Sequence, residues 1–200
     1  MMKFTASMIL TICTVAERWN RLPQPWLIGG SCGLLMQEIE LPAKPRDLDI
    51  YIDKEAVGAF HQVMLDYAVD EPAFSATDKY SSTLAHYRIG ELPIELVAGF
   101  EVRVPQALYR VDIEGLSSQY GPTAILDGMK VQCMPLAHEL LFNLLRDRPD
   151  RYVPIAEKMC GDLERQLPAL QAIVKNNRIG EKRLRHIADL LRIDAGTLMG

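Results

Sequence analysis

The run Asp47-Leu48-Asp49-Ile50-Tyr51-Ile52-Asp53 alternates at every step between an apolar residue and an acid or tyrosine. In a strand, this places Asp47, Asp49, Tyr51 and Asp53 on one face and Leu48, Ile50 and Ile52 on the other, the apolar set turned to a core. Asp47 and Asp49 then stand roughly 6–7 Å apart by strand rise. At an effective dielectric near 20 their repulsion is on the order of 2.5 kcal/mol. A cation removes that cost. Two carboxylates presented together suit a hard divalent ion with oxygen ligands, Mg2+ above all.

A short distance upstream, Trp26-Leu27-Ile28 is an apolar run that ends in Gly29-Gly30-Ser31, followed by a stretch that reads as helix over Cys32–Glu38. A strand, a glycine turn and a helix start leave backbone N–H groups bare, and phosphate binds such a turn. Glycine lets the phosphate come close to the backbone. Ser31 has two available roles, capping the helix or donating its hydroxyl to a phosphate oxygen. Neither motif is specific alone, because solvated strand faces and plain glycine turns are both common.

The elements that must hold these residues follow from the pattern. Phe4, Met8, Ile12, Val15 and Trp19 recur at helical spacing and predict a first helix over about Phe4–Asn20, closed by Pro23 and Pro25. Lys3 followed by Phe4–Ala16 has some character of a leader peptide, but Ser7, Thr11, Cys13 and Thr14 interrupt the apolar run. A core helix and a cytoplasmic chain are therefore expected. After the acidic strand, Asp53 is placed to cap a helix running to about Tyr67 or Ala68. Ser82–Ile89 and Ile94–Val97 flank Gly90-Glu91-Leu92-Pro93 and predict a hairpin. In its second strand Ile94, Leu96 and Ala98 share one face, and Glu95 and Val97 the other. Further strands are expected near Phe100–Val104, Leu108–Ile113 and Met129–Met134, with a tight turn at Asp127-Gly128. From Pro135 the periodicity becomes helical, with leucine-rich helices about Leu136–Leu145, Ile155–Leu163 and Leu184–Leu191. The expected organisation is an α/β (α+β) domain over 1–134, a mixed sheet flanked by helices, and a small helical region over 135–200.

With 200 residues, 48% hydrophobic and 24% charged, the chain has the composition of an ordinary globular protein. A net charge of -4 gives no footprint for polynucleotide binding. No stretch is apolar enough to span a membrane. Cys13, Cys32, Cys133 and Cys160 are widely scattered, which argues against a zinc or redox motif and reads as buried thiols. His61, His86, His138 and His186 show no metal-ligand spacing. His61 and His186 read as helix-surface or interface residues, and His86 as a hydrogen-bonded strand residue near the acids.

Taken in order, Gly29-Gly30-Ser31, Asp47-x-Asp49 and a later strand carboxylate, Glu95, resemble the motifs of the nucleotidyltransferase superfamily, with its DNA polymerase beta-like fold. The likeness is to the minimal and antibiotic-modifying bacterial branches and covers roughly the first 130 residues. The resemblance implies Mg2+, one or two ions, held by Asp47, Asp49 and Glu95, and a nucleoside triphosphate on Gly29, Gly30 and Ser31. It implies transfer of a nucleoside monophosphate, from ATP or another NTP, to a hydroxyl of a small molecule or protein. It also implies that the strand carrying Glu95 lies beside the strand carrying Asp49. Of the competing acids, Glu91 falls in the expected turn and Glu101 is expected to face solvent. Lys44, Arg46 and Lys79 are the candidate basic contacts. Asn143 stands near where some relatives carry lysine, while Arg146, Arg148 and Arg151 read as a helix end with local ion pairs. A non-catalytic member that binds nucleotide or a protein partner is the alternative. A glycosyltransferase using Asp-x-Asp would leave the Gly-Gly-Ser turn unexplained.

Overall fold

The structure is a computed structural model that describes residues 4–199; Lys3 lies outside the described residues. Helix α1 (Ala6–Trp19) is capped by the Thr5 side chain, which accepts from the Met8 N–H. The chain then runs through β1 (Leu27–Ile28), α2 (Gly30–Met36) and β2 (Leu48–Ile52). A broken helical stretch centred on α3 (Val57–Gln62) leads to β3 (Ala73–Ala76), β4 (Tyr80–Ile89), β5 (Leu92–Val104) and β6 (Ala107–Arg110). Helix α4 (Ile113–Gln119) precedes a separate hairpin, β7 (Thr123–Leu126) and β8 (Met129–Gln132). Helices α5 (Leu136–Leu145), α6 (Pro149–Cys160), α7 (Leu163–Asn176) and α8 (Glu181–Leu191) follow, with β9 (Arg178–Ile179) between the last two.

The main sheet has the order β1-β2-β5-β4-β3, with β6 on β5 and β9 on β6. It is mixed: β2 and β5 are parallel and the other pairs antiparallel. Alternation within the strands sorts residues between two cores. Leu48, Ile50, Ile52, Ile94 and Leu96 pack on α1 through Ile12, Val15 and Trp19. Tyr51, Val97 and Phe100 pack with Leu140, Leu141 and Phe142 of α5, in a cluster that continues through α6, α7 and α8. No helix among the described residues is long and apolar enough to cross a membrane.

Several local features differ from the sequence reading, for physical reasons. The predicted strands at Ile94–Val97 and Phe100–Val104 are one strand, β5, carried past Gly99 at φ +60°. Asp53 caps a different helix: Oδ1 and Oδ2 accept from the Ile113 and Glu114 N–H groups, both at 2.9 Å, tying the end of β2 to the start of α4. Such a pairing across sixty residues has no local signature. Glu101 is clamped by Arg103 and Arg110 at 2.7 and 2.6 Å instead of facing solvent freely. His61 is buried against the Tyr87 hydroxyl at 3.0 Å. The all-exposed β3 and the amphipathic α7 carry proline or weak patterns that hid them. The Asp127-Gly128 turn stands as read, closing Leu126 against Met129 with positive φ at both turn residues.

Candidate functional site

The acids are set by register. Asp49 is the β-partner of Glu95 on parallel neighbours β2 and β5, so both project from one face. They open into a cavity of about 470 Å3 between that face and helices α2, α5 and α6. Gly30, Ser31, Asp47, Asp49 and Glu95 all line it. Gly29 is buried, does not line it, and occupies the N-cap position of α2; its N–H donates to the Asp49 carbonyl at 3.0 Å. Because Gly29 takes the cap, Ser31 lies inside the first turn and does not cap the helix.

Gly30 is the position that only glycine fills. It sits at φ +57°, and a Cβ there would overlap the Asp49 carboxylate oxygen. The turn and the acid strand are thus pressed together. Asp49 is raised to about 7, first by burial and then by Asp47 and Glu95, with Arg146 and Arg151 opposing. Three carboxylates share one region, and the half-buried one resists ionising without a positive partner.

The helices add a residue that the sequence reading left out, Glu139, and bring it beside others that it had named. Glu139 of α5 is fully buried, accepts the Gly30 N–H at 2.8 Å, and is joined to the Asn143 side chain at 3.3 Å. Burial raises it to about 7, with the Gly30 bond working the other way. A glutamate and an asparagine four apart in a leucine-rich helix put both polar groups on one inward stripe. That stripe was the signal available in the sequence. Arg146, Arg148 and Arg151 line the same cavity. Arg148 does pair with Asp150, at 2.7 Å. Arg151 pairs with Asp150 more loosely, Nε to Oδ2 at 3.8 Å, and also reaches inward, its Nη1 donating to Ser31 Oγ at 3.3 Å; its buried Nε has no hydrogen-bond partner among the described residues. Lys44, Arg46 and Lys79 do not line the cavity.

The far wall comes from β3, β4 and the turn between them, two to three strands from β2, or roughly 10–14 Å away at ordinary strand spacing. Ser75, Thr77, Tyr80 and Ser82 line it, with Tyr80 stacked on Phe100 at 6.2 Å between ring centroids. That wall carries hydroxyls and flat rings and no charge. The cavity therefore has a cationic end at α5 and α6, acids at its centre and a neutral polar end.

Among the described residues, no three His, Cys, Asp or Glu side chains are gathered tightly enough to enclose a metal by themselves. Mg2+ does not need such a cage: it keeps several waters and usually takes one or two carboxylates with substrate phosphates. The oxygen donors on an open cavity, and the raised Asp49, fit that demand. All four cysteines are free, and burial raises Cys32 and Cys133.

Among solved structures, the chain is similar to a Thermotoga maritima protein assigned to the nucleotidyltransferases, with a TM-score of 0.58 and 20% identity over 78% of this chain and 92% of that one. It is also similar to the antibiotic-resistance factor ANT(2'')-Ia in solution, with a TM-score of 0.51 and 16% identity over 92% and 97% of the two chains. A crystal structure of ANT(2'')-Ia with adenylyl-2''-tobramycin gives 0.46 at 14% identity, over 92% and 96%. No family model matches the sequence, and no curated protein matches it. The likeness lies in the fold: the chain has the nucleotidyltransferase fold, a mixed sheet flanked by helices.

Proposed function

We propose that the protein is a Mg2+-dependent nucleotidyltransferase that moves a nucleoside monophosphate from a nucleoside triphosphate, ATP by resemblance, to a hydroxyl acceptor. The observation that carries this reading is the cavity in which Asp49 and Glu95, side by side on parallel strands, face Arg146, Arg148 and Arg151. Acids for a cation and arginines for an anion in one pocket match a metal–triphosphate substrate.

In this reading Asp47 and Asp49 hold Mg2+, with Glu95 as the third acid. When bound, Mg2+ offsets charge on the phosphoryl oxygens and on the pyrophosphate leaving group. Arg151 and Ser31, which already touch each other at 3.3 Å, bind the triphosphate oxygens. The acceptor hydroxyl forms the new bond to the α-phosphorus as the bond to pyrophosphate breaks. Glu95 accepts the hydroxyl proton or orients it. The uncharged wall of Ser75, Thr77, Tyr80 and Ser82 supports a neutral, hydroxyl-bearing acceptor, a small molecule or a protein side chain, over a polycation. Free thiols and an NTP donor favour a cytoplasmic setting.

One observation favours the alternative of a non-catalytic binding member: the Gly30 N–H, which a phosphate would use, is already taken by Glu139. Calorimetric titration with a set of non-hydrolysable NTP analogues, with and without Mg2+, separates the two. Mg2+-dependent binding is expected. A folded protein that binds none of them is an interaction module instead.

A further inference from the structure

Glu95 has a neighbour that the proposed reaction does not use. His86 of β4 is its cross-strand partner, so Asp49, Glu95 and His86 form one row across β2, β5 and β4. His86 does not line the cavity; it stands beside Glu95 on the neighbouring strand, with Nε2 3.5 Å from Glu95 Oε2. Its other ring nitrogen is committed. Nδ1 lies 2.6 Å from Asp70 Oδ2, while the His86 backbone N–H donates to Asp70 Oδ1 at 2.7 Å. The segment bearing Asp70 is itself fixed to the same strand, since the Val69 N–H donates to the His86 carbonyl at 2.8 Å.

Packing gives little reason for this arrangement. The His86 and Asp70 side chains are 43% and 46% exposed, and exposed ion pairs contribute little to stability. What the double grip does achieve is orientation. A ring held by Nδ1 cannot turn, and its Nε2 is left on the side of Glu95.

We propose that Asp70 and His86 are positioning residues for Glu95: Asp70 locks the imidazole, and His86 holds Glu95 Oε2 so that Oε1 is presented to the cavity. This inference rests on the reading of Asp49 and Glu95 as acids of a metal–nucleotide site. Groups that orient metal-binding side chains typically change metal affinity by about 10- to 100-fold when removed.

The test is a double-mutant cycle read by Mn2+ binding, followed by electron paramagnetic resonance in the presence of a non-hydrolysable ATP analogue. His86→Ala and Asp70→Asn are each expected to weaken Mn2+ binding about 10-fold when Glu95 is present. In a Glu95→Gln background, each is expected to change it by less than about 2-fold, because the group they act through is gone. The nearly isosteric Asp70→Asn guards against a fold defect, and melting curves of all variants check it. Equal losses in both backgrounds, or no loss in either, overturn the proposal and leave the reading of the site intact. Absence of Mn2+ binding that depends on Asp49 in the otherwise unaltered protein overturns that reading, and this inference with it.

Discussion

On one face of the sheet Leu48, Ile50, Ile94 and Leu96 are sealed beneath α1, where Trp19 is fully buried among Trp26, Phe60 and Tyr87 with each ring edge-on to it. On the other face the same two strands send Asp49 and Glu95 into an open cavity, and α5 above them buries Glu139, His138 and Asn143. A one-residue change of register along β2 or β5 would exchange the two sets. The first face holds the strands in place through apolar burial. The second face spends part of that stability on charges brought close together, of which Asp49 and Glu139 are both raised to about 7. The electrostatic strain is confined to the cavity face, and the opposite face supplies the rigidity.

The largest effect should come from the apolar side. Trp19→Ala is expected to cost about 3–5 kcal/mol of folding stability, measured by denaturant unfolding. At temperatures where the variant stays folded, nucleotide affinity should change little. A large loss of affinity in the folded variant would show that the two faces do not divide the labour in this way.

Arg151→Ala tests the cationic end of the other face. Hydrogen bonds to charged groups contribute roughly 1.5–3 kcal/mol, so triphosphate binding should weaken by that amount in calorimetry while AMP binding is nearly unaffected. Ser31→Ala should have the smaller effect, about 0.5–1.5 kcal/mol, since it removes one neutral hydroxyl.

The pH response sharpens the contrast further. Asp49 and Glu139 hold protons in the folded state that the unfolded chain has released, because their values rise from 3.8 and 4.5 to about 7. The folded state therefore binds more protons over that range. Stability of the metal-free protein from these groups is greatest below about pH 4 and falls as pH rises toward about 7. Mg2+ should raise Tm at pH 8 much more than at pH 5, because it requires the ionised acids. Melting curves at the two pH values, with and without Mg2+, check this; an equal Mg2+ effect at both would place the ion elsewhere.

How much of this was legible in the chain follows the same division. The alternation of Asp47–Asp53 and of Ile94–Ala98 assigned residues to faces correctly, because strand periodicity is local. The glycine turn, the hairpin at Gly90 and the α1 stripe were legible for the same reason. The pairing of β2 with β5 came from the resemblance, since nothing local specifies which strands meet. Glu139 was missed, and Arg146 and Arg151 were read only as a helix end with local ion pairs, because they reach the acids through the long-range docking of α5 and α6 onto the sheet. The Asp53 cap on α4 was out of reach for the same reason.

The most direct test of the central claim is calorimetric binding of a non-hydrolysable ATP analogue, with and without Mg2+, to the unaltered protein and to Asp49→Asn, each melted at pH 8 without metal. Removing a half-buried charge that Asp47 and Glu95 repel should leave Tm unchanged or higher. Mg2+-dependent binding should disappear. An Asp49→Asn variant that binds the Mg2+–nucleotide as tightly as the unaltered protein would contradict the account.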